Sequence, residues 1–88
     1  MFELLFSNKS SKFVKNCDCQ LKERLKQIFL ILNKTTIPAK LFDLKKISGT
    51  EDTYRIKIGQ FRIVYKIYWQ ELKIKVLTIE RRDEHTYN

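Results

Sequence analysis

Few residues of this 88-residue sequence could bind a metal ion or form a disulfide. The two cysteines, Cys17 and Cys19, are separated by one residue, and a disulfide across so short a span would be strained. The single histidine, His85, is distant from them in the sequence, so the four ligands of a structural zinc site are lacking. We therefore expect reduced thiols, no bound metal and no cofactor.

Long apolar segments are lacking as well. The longest aliphatic or aromatic run is residues 28–32, far short of the roughly 20 residues that a membrane-spanning helix requires. Residues 1–10 do not contain the basic segment, apolar stretch and small-residue cleavage site of a signal peptide. We expect a soluble, cytoplasmic protein with no membrane partner.

Negative charge is scarce: the chain has 10 Asp and Glu compared with 18 Lys and Arg, for a net charge of +8 at pH 7. Both halves of the chain share the excess, so any binding surface must be assembled by folding. Small domains of this kind usually bind polyanions such as nucleic acid or an acidic protein, although excess lysine can serve solubility alone. A chain of this length holds one domain with one core.

Helical periodicity predicts two helices in the N-terminal half. Residues 2–6 form a short apolar segment that suits a strand, and residues 7–10 offer capping residues for a helix ending near Asn16. Asp18 can cap a second helix, because its carboxylate accepts hydrogen bonds from the free N–H groups of the first turn. The apolar residues of that helix recur at helical spacing, namely Leu21, Leu25, Ile28 and Leu32. Residues 35–53 are predicted to be a connecting segment.

From Tyr54 onward the hydrophobic period changes to two, as in a strand with one buried face. Three such runs, at 54–58, 61–68 and 72–79, predict an antiparallel three-strand meander. The predicted fold class is α+β: an N-terminal strand, a helical hairpin and then the meander, with the helices on one face of the sheet.

A two-residue turn at residues 59–60 fixes the register of the first two strands of the meander. Glycine at the first of two turn positions fits a type II′ hairpin. Lys57 then lies opposite Arg62, and Ile56 lies opposite Ile63. This register collects apolar residues on one face of the sheet and cations on the other, whereas a shift by one residue would mix them.

The predicted cationic face is unusual because Lys57 and Arg62 oppose each other directly, which destabilises a sheet by up to about 1 kcal/mol. No acidic residue within the three runs compensates on that face. A phosphate backbone would supply the counter-charge, and a solvated basic face is the alternative. The cations of matching parity are Arg55, Lys66, Lys73 and Lys75. Arg81 joins them if the last strand keeps its alternation beyond Ile79.

Four features of the C-terminal half are similar to RelE toxins of bacterial and archaeal toxin–antitoxin pairs, within the RelE/ParE superfamily. They are Gly49, the segment 54–65, the apolar run 72–79 and the closing Arg81, Arg82 and Tyr87. The resemblance is specific over residues 49–88, whereas over residues 1–48 only the order of elements agrees. It implies a single RelE-like toxin domain over residues 1–88.

The resemblance implies a ribosome-dependent endoribonuclease, an mRNA interferase that cleaves mRNA in the ribosomal A site and so inhibits translation. In that reaction the ribose 2′-OH attacks the adjacent phosphate and leaves a 2′,3′-cyclic phosphate and a 5′-OH. The partners implied are mRNA, ribosomal RNA and an acidic, helical RelB-like antitoxin, in a heterotetramer or larger complex in the prokaryotic cytoplasm.

The resemblance also implies roles for individual residues. Arg62 would bind the scissile phosphate, Arg81 would stabilise the transition state, and Tyr87 would stack on or orient the substrate. Lys57 would act as base or acid if the neighbouring cations favour its neutral form, while Arg55, which stays protonated, would hold phosphate. Further residues expected to bind RNA are Lys66, Lys73, Lys75 and Arg82. Some family members use a histidine and a glutamate instead, and the alternative acid and base here are His85 and Glu84 or Glu80.

Two other functions stay open at this point. A ParE-type toxin poisons DNA gyrase by binding and does not cleave RNA, although ParE-like chains generally lack the combination of Arg62, Arg81 and Tyr87. A non-catalytic RNA-binding member of the family is the second alternative.

Overall fold

The structure is a computed structural model, and it describes residues 1–81 of the chain. In chain order the elements are β1 (Glu3–Phe6), α1 (Asn8–Asn16), α2 (Cys19–Lys34), β2 (Asp43–Lys46), β3 (Thr53–Ile58), β4 (Phe61–Tyr68) and β5 (Lys73–Arg81). The five strands form one sheet in the order β1-β5-β4-β3-β2. β1 runs parallel to β5, and the other neighbouring pairs are antiparallel. The predicted α+β class is confirmed.

Both helices begin at the predicted capping residues. Ser7 is the N-cap of α1, and its hydroxyl oxygen accepts a hydrogen bond from the backbone N–H of Ser10 at 3.1 Å. Asp18 is the N-cap of α2, and its carboxylate accepts from the N–H of Leu21 at 2.8 Å. Each cap satisfies a backbone donor that has no partner within its own helix.

The core lies between the helices and one face of the sheet. α2 contributes the four buried residues that helical spacing predicts, Leu21, Leu25, Ile28 and Leu32. The sheet contributes the buried side chains of β3, β4 and β5, namely Ile56, Ile58, Ile63, Tyr65, Ile67, Ile74, Val76 and Ile79. Helix and strand periodicities therefore converge on one hydrophobic cluster.

The β3–β4 hairpin has the predicted register, with Lys57 opposite Arg62 and Ile56 opposite Ile63. Gly59 has φ 56°, and Gln60 is not among the described residues with positive φ. One positive φ, at the first turn position, is what a type II′ turn requires, whereas type I′ requires two. The dipeptide in the turn therefore sets which residues of the hairpin face the core.

A fifth strand lies in the segment that was expected to be only a connection. β2 pairs antiparallel with β3 at the edge of the sheet, placing Leu44 opposite Ile56 and Asp43 opposite Lys57. Its four residues contain one apolar side chain, so it lacks the alternation that identifies a strand in sequence. The strand depends on pairing with β3 rather than on its own pattern, and short charged strands are common at sheet edges.

β5 departs from regular alternation at a β-bulge. Val64 lies opposite Thr78 while Tyr65 lies opposite Val76, so Leu77 is an extra residue in β5. The extra residue reverses the alternation of the last part of the strand and returns Ile79 to the core, where it is buried.

The bulge is also the place where α1 is attached to the sheet. The hydroxyl of Ser7 donates to the carbonyl oxygen of Leu77 at 2.7 Å, and the buried hydroxyl of Ser10 donates to that of Val76 at 2.9 Å. These bonds satisfy backbone carbonyl groups at the irregularity and fix the start of α1 against β5. Within residues 1–81, no helix is long and apolar enough to cross a membrane.

Candidate functional site

The face of the sheet opposite the helices carries the candidate site, and we call it the open face. It is formed by the residues of each strand that alternate with the core residues. Its half-buried cations come from the three central strands and are Arg55, Lys57, Arg62, Lys66, Lys73 and Lys75. Lys45 of β2 lies opposite Arg55 and extends the set to the sheet edge. All the strand cations predicted from parity, apart from Arg81, therefore share one surface.

Two pairs of cations oppose each other directly on the open face. Lys57 lies opposite Arg62 across β3 and β4, as predicted. Lys66 lies opposite Lys75 across β4 and β5, a second pair that lies between the bulge and the β4–β5 connection. Like charges at such positions repel each other and destabilise the sheet. A bound anion would reduce this repulsion, so the face favours anion binding.

Counter-charge on this face comes from outside the three predicted strand runs. The carboxylate of Asp43, in the unpredicted β2, lies 3.9 Å from the ammonium group of Lys57. Glu80, just beyond the predicted end of the last run, lies opposite Arg62. The three predicted runs themselves place no acidic residue on the face, as expected, but carboxylates from outside the runs lie near both members of the central pair. Cations still outnumber them.

Arg55 contains a buried donor. Within residues 1–81, its Nε atom is buried and has no hydrogen-bond acceptor. An N–H group buried without a partner costs about 1–3 kcal/mol, and a charged group costs more. Because the Nε atom is shielded from solvent, a phosphate oxygen on the face reaches it only after the Arg55 side chain moves. Sequence parity identifies Arg55 as a surface cation, but only the packing reveals the unsatisfied donor.

Arg81 does not share the open face with Arg62. The alternation that would bring it there is interrupted by Leu77, and Arg81 lies opposite Phe61 on the helix-covered side of the sheet. Its guanidinium carbon is 5.9 Å from the centre of the Phe61 ring. The two arginines of the predicted catalytic set are therefore on opposite faces of the sheet, at the same end of it.

The remaining candidates lie in the C-terminal segment. Arg82, Glu84, His85 and Tyr87 are outside the described residues. Of the alternative acid and base residues, Glu80 is described, and it lies beside Arg62 on the open face. Within residues 1–81 there is no group of three or more histidine, cysteine or acidic side chains that could hold a metal ion.

Comparisons with known proteins give the same family as the sequence resemblance. The model of a family described as the ParE toxin of type II toxin–antitoxin systems, parDE, matches residues 6–86. A curated protein of Methanocaldococcus jannaschii, named "Putative toxin RelE1", is 33% identical over 61 residues, which cover 69% of this chain and 68% of that protein.

Solved structures of RelE toxins share the fold. The chain is similar to RelE in the archaeal RelE–RelB complex of Pyrococcus horikoshii, with a TM-score of 0.84, 25% identity, and coverage of 94% of this chain and 97% of the other. It is also similar to the intact RelBE complex of E. coli, with a TM-score of 0.80, 19% identity, and coverage of 96% and 100%. The chain belongs to the ParE toxin family of type II toxin–antitoxin systems, within the RelE/ParE superfamily.

Proposed function

We propose that this toxin is an endoribonuclease that cleaves mRNA in the A site of the ribosome and so inhibits translation. The observation that carries the proposal is the cation cluster of Arg55, Lys57 and Arg62 on the open face. These residues lie on two paired central strands, which provide a rigid support for a site. The sequence similarity to a protein named as a RelE toxin also supports RNA as the substrate, because it is more specific than a shared fold.

The proposed reaction is an intramolecular phosphoryl transfer. The 2′-oxygen forms a bond to the adjacent phosphorus, the bond to the 5′-oxygen breaks, and the products are a 2′,3′-cyclic phosphate and a 5′-OH. Negative charge develops on the phosphoryl oxygens, where the planar guanidinium of Arg62 can donate two hydrogen bonds. Arg55 lies diagonally across the β3–β4 pair from Arg62, and its guanidinium holds the same phosphate group.

Proton transfer needs one group to accept the 2′-OH proton and another to protonate the leaving 5′-oxygen. We assign Lys57 to one of these steps, since it lies opposite Arg62. Tyr87 orients the substrate, and His85 with Glu84 or Glu80 is the alternative acid and base pair. Arg81, on the other side of the sheet, holds a flanking nucleotide in this proposal, and we expect it to matter less for the chemical step than Arg62.

The proposed partners are polyanions or acidic proteins, in keeping with a net charge of +8. The two solved structures named above are complexes of RelE with RelB, and we propose a RelB-like antitoxin for this chain, in a heterotetramer or larger complex. Ribosomal RNA would contact the outlying cations Lys66, Lys73, Lys75 and Arg82. The chain acts as a single toxin domain of residues 1–88 in the cytoplasm, where ribosomes are found.

The family match favours one further function. The matching model is that of ParE toxins and covers residues 6–86, so a toxin that binds DNA gyrase without cleaving RNA is the second candidate. In that case the open face would be a docking surface rather than a reaction site.

The products of cleavage test the proposal. The purified chain is added to ribosomes carrying a defined mRNA, and 5′ ends are mapped by primer extension, with naked mRNA as the control. We expect new ends within the A-site codon that can be phosphorylated by a kinase, as a 5′-OH requires. A 2′-deoxy nucleotide on the 5′ side of the scissile phosphate should abolish them.

Two results would count against this reaction. Intact mRNA on active ribosomes contradicts the proposed nuclease activity. The next experiment is then a gyrase supercoiling assay, which tests the second candidate function. Cleavage that persists across the 2′-deoxy nucleotide contradicts attack by the 2′-oxygen and points to a different nucleophile.

A further inference from the structure

A second cationic surface lies on the helix-covered side of the sheet, away from the open face. It is a cleft of about 510 Å³ between α1 and the adjoining ends of β4 and β5. We call it the end cleft. The residues that matter to its chemistry are Lys9, Lys12, Phe13, Phe61 and Arg81.

Aromatic rings form part of the lining of the end cleft. The rings of Phe13 and Phe61 meet edge to face, with centroids 5.9 Å apart and an angle of 73° between their planes. Both side chains are half-buried, so part of each ring remains accessible from the cleft. Arg81 lies with its guanidinium carbon 5.9 Å from the centre of the Phe61 ring. Aromatic rings next to arginine are typical of sites where nucleobases stack.

The rim of the end cleft is positively charged. Lys9 and Lys12 are three residues apart in α1, so they lie on the same side of the helix, and both are exposed. Within residues 1–81, neither lysine has an ion-pair partner. Asp18 is the carboxylate that lines the cleft, and it already accepts the capping hydrogen bond from Leu21 at 2.8 Å. Among residues 1–81, three cations therefore converge on a cleft lined by one carboxylate, which is engaged in the cap.

We propose that the end cleft binds one nucleotide of single-stranded RNA, with its phosphate near Lys9, Lys12 and Arg81 and its base against the phenylalanine rings. The inference rests on the proposed function in taking RNA as the ligand. Phe61 and Arg62 are consecutive residues whose side chains lie on opposite faces of β4. One RNA strand that passes over this end of the sheet contacts both the end cleft and the open face.

A second groove in the molecule has the opposite character. It lies between β1 and α2, has a volume of about 450 Å³, and is lined mainly by Leu4, Phe6, Phe29 and Leu30. An apolar groove of that kind suits the hydrophobic face of a protein segment. The end cleft combines cations with aromatic rings, and this combination favours a nucleotide over a peptide.

Binding of a short RNA tests the proposal without ribosomes. The probe is a fluorescein-labelled hexauridine with 2′-O-methyl groups, which cannot be cleaved by 2′-oxygen attack, and binding to the full chain is followed by anisotropy at several salt concentrations. The test variant is Lys9→Gln/Lys12→Gln. The matched control is Lys22→Gln/Lys26→Gln, which removes the same charge from the rim of the apolar groove.

We expect the test variant to raise the dissociation constant about tenfold at 0.1 M salt and to lower the salt slope by about 0.7, the value for one lost phosphate contact on a single strand. The control should change the dissociation constant less than about twofold. Equal weakening by both variants would mean that only net charge matters and would overturn the proposal. No change in the test variant would overturn it as well.

Crosslinking identifies where the base lies. The same RNA carrying one 4-thiouridine is irradiated with the chain, and adducts are mapped by mass spectrometry. We expect adducts in α1 or at Phe61, whereas adducts confined to open-face residues of β3 and β4 would contradict the proposal. If the test variant instead loses binding of a polyglutamate peptide and keeps binding of RNA, the end cleft is a protein-docking site and the proposal fails.

The result of the RNA-binding test can be distinguished from the result of the nuclease test. Selective loss of RNA binding in the test variant supports the end cleft even if wild-type protein leaves mRNA intact on ribosomes. Cleavage in the A site together with unchanged RNA binding in the test variant overturns the end cleft alone.

Discussion

Lys57 is the cation of the open face whose charge environment can be changed most simply. Asp43 lies 3.9 Å from its ammonium group, and this carboxylate is 58% exposed. Asp43→Asn removes the negative charge and keeps the size of the side chain. We expect the affinity for the 2′-O-methyl RNA to rise about two- to threefold at low salt, because no carboxylate then competes with phosphate.

The same substitution should leave stability almost unchanged. Exposed ion pairs contribute little, so we expect the free energy of unfolding in urea to change by less than about 0.5 kcal/mol. Glu23→Gln, on the exposed surface of α2, is the charge-matched control. An equal gain of affinity in both variants would mean that the position of Asp43 on the open face is irrelevant.

Tyr65 carries a polar group into the core. Its side chain is fully buried, and its hydroxyl donates a 2.7 Å hydrogen bond to the carbonyl oxygen of Thr36. Tyr65→Phe keeps the ring and removes the donor, so we expect the free energy of unfolding to fall by about 1 kcal/mol in a urea titration. A variant as stable as the wild type would mean that the hydrogen bond is not needed.

Burial, and secondarily the nearby Tyr54, raises the pKa of Tyr65 well above its ordinary value. The folded state therefore keeps the hydroxyl proton at a pH where the unfolded state has lost it. Stability is retained below the ordinary tyrosine pKa of about 10 and declines as the pH rises beyond it. We expect a shallower decline for Tyr65→Phe than for the wild type in urea titrations at pH 9, 10 and 11, and equal slopes would contradict this assignment.

At the scale of elements, the N-terminus of α2 is capped by the side chain of Asp18. Asp18 accepts the hydrogen bond from Leu21 at the start of the helix that supplies four core residues. Asp18→Ala should lower the free energy of unfolding by about 1 kcal/mol, measured in urea. Asp18→Asn keeps an acceptor and should lose much less, whereas equal losses would show that the cap is not the cause.

The elements differ in how far sequence could predict them. The β3–β4 hairpin was predicted residue by residue, because a two-residue turn and strict alternation admit one register. β2 was missed because its residues, with Leu44 as the one apolar side chain, carry no periodic signal. A connection over residues 47–52 joins it to β3, and its place in the sheet depends on that pairing rather than on a pattern of its own.

The bulge in β5 had the largest consequence for the site. Ile79 is apolar at a position where simple alternation predicts an outward side chain, and that was the available signal. Leu77 and Ile79 are both apolar, so the sequence did not show which residue of β5 is the extra one at the bulge. The prediction placed Arg81 on the open face on condition that the alternation continues beyond Ile79; the bulge breaks that condition, and Arg81 lies beside Phe61 on the helix-covered side.

At the scale of the whole molecule, the helices cover one face of the sheet and leave a basic face open. Apart from Arg81, which lies beyond the bulge, the predicted cations of the central strands do converge there, because strand parity fixes their side. The buried Nε of Arg55 and the carboxylates of Asp43 and Glu80 depend on tertiary packing and could not be predicted. A ligand that neutralises this face binds the folded state and so stabilises it.

The rate of mRNA cleavage by Arg62→Ala tests the central claim most directly, namely that the open face is the reaction site. Single-turnover cleavage in the ribosomal A site is compared with that of wild type and of Lys46→Ala, whose exposed cation lies opposite Tyr54 and thus off the open face. We predict a loss of about 100-fold or more for Arg62→Ala and little change for Lys46→Ala. Cleavage by Arg62→Ala at the wild-type rate would contradict the account.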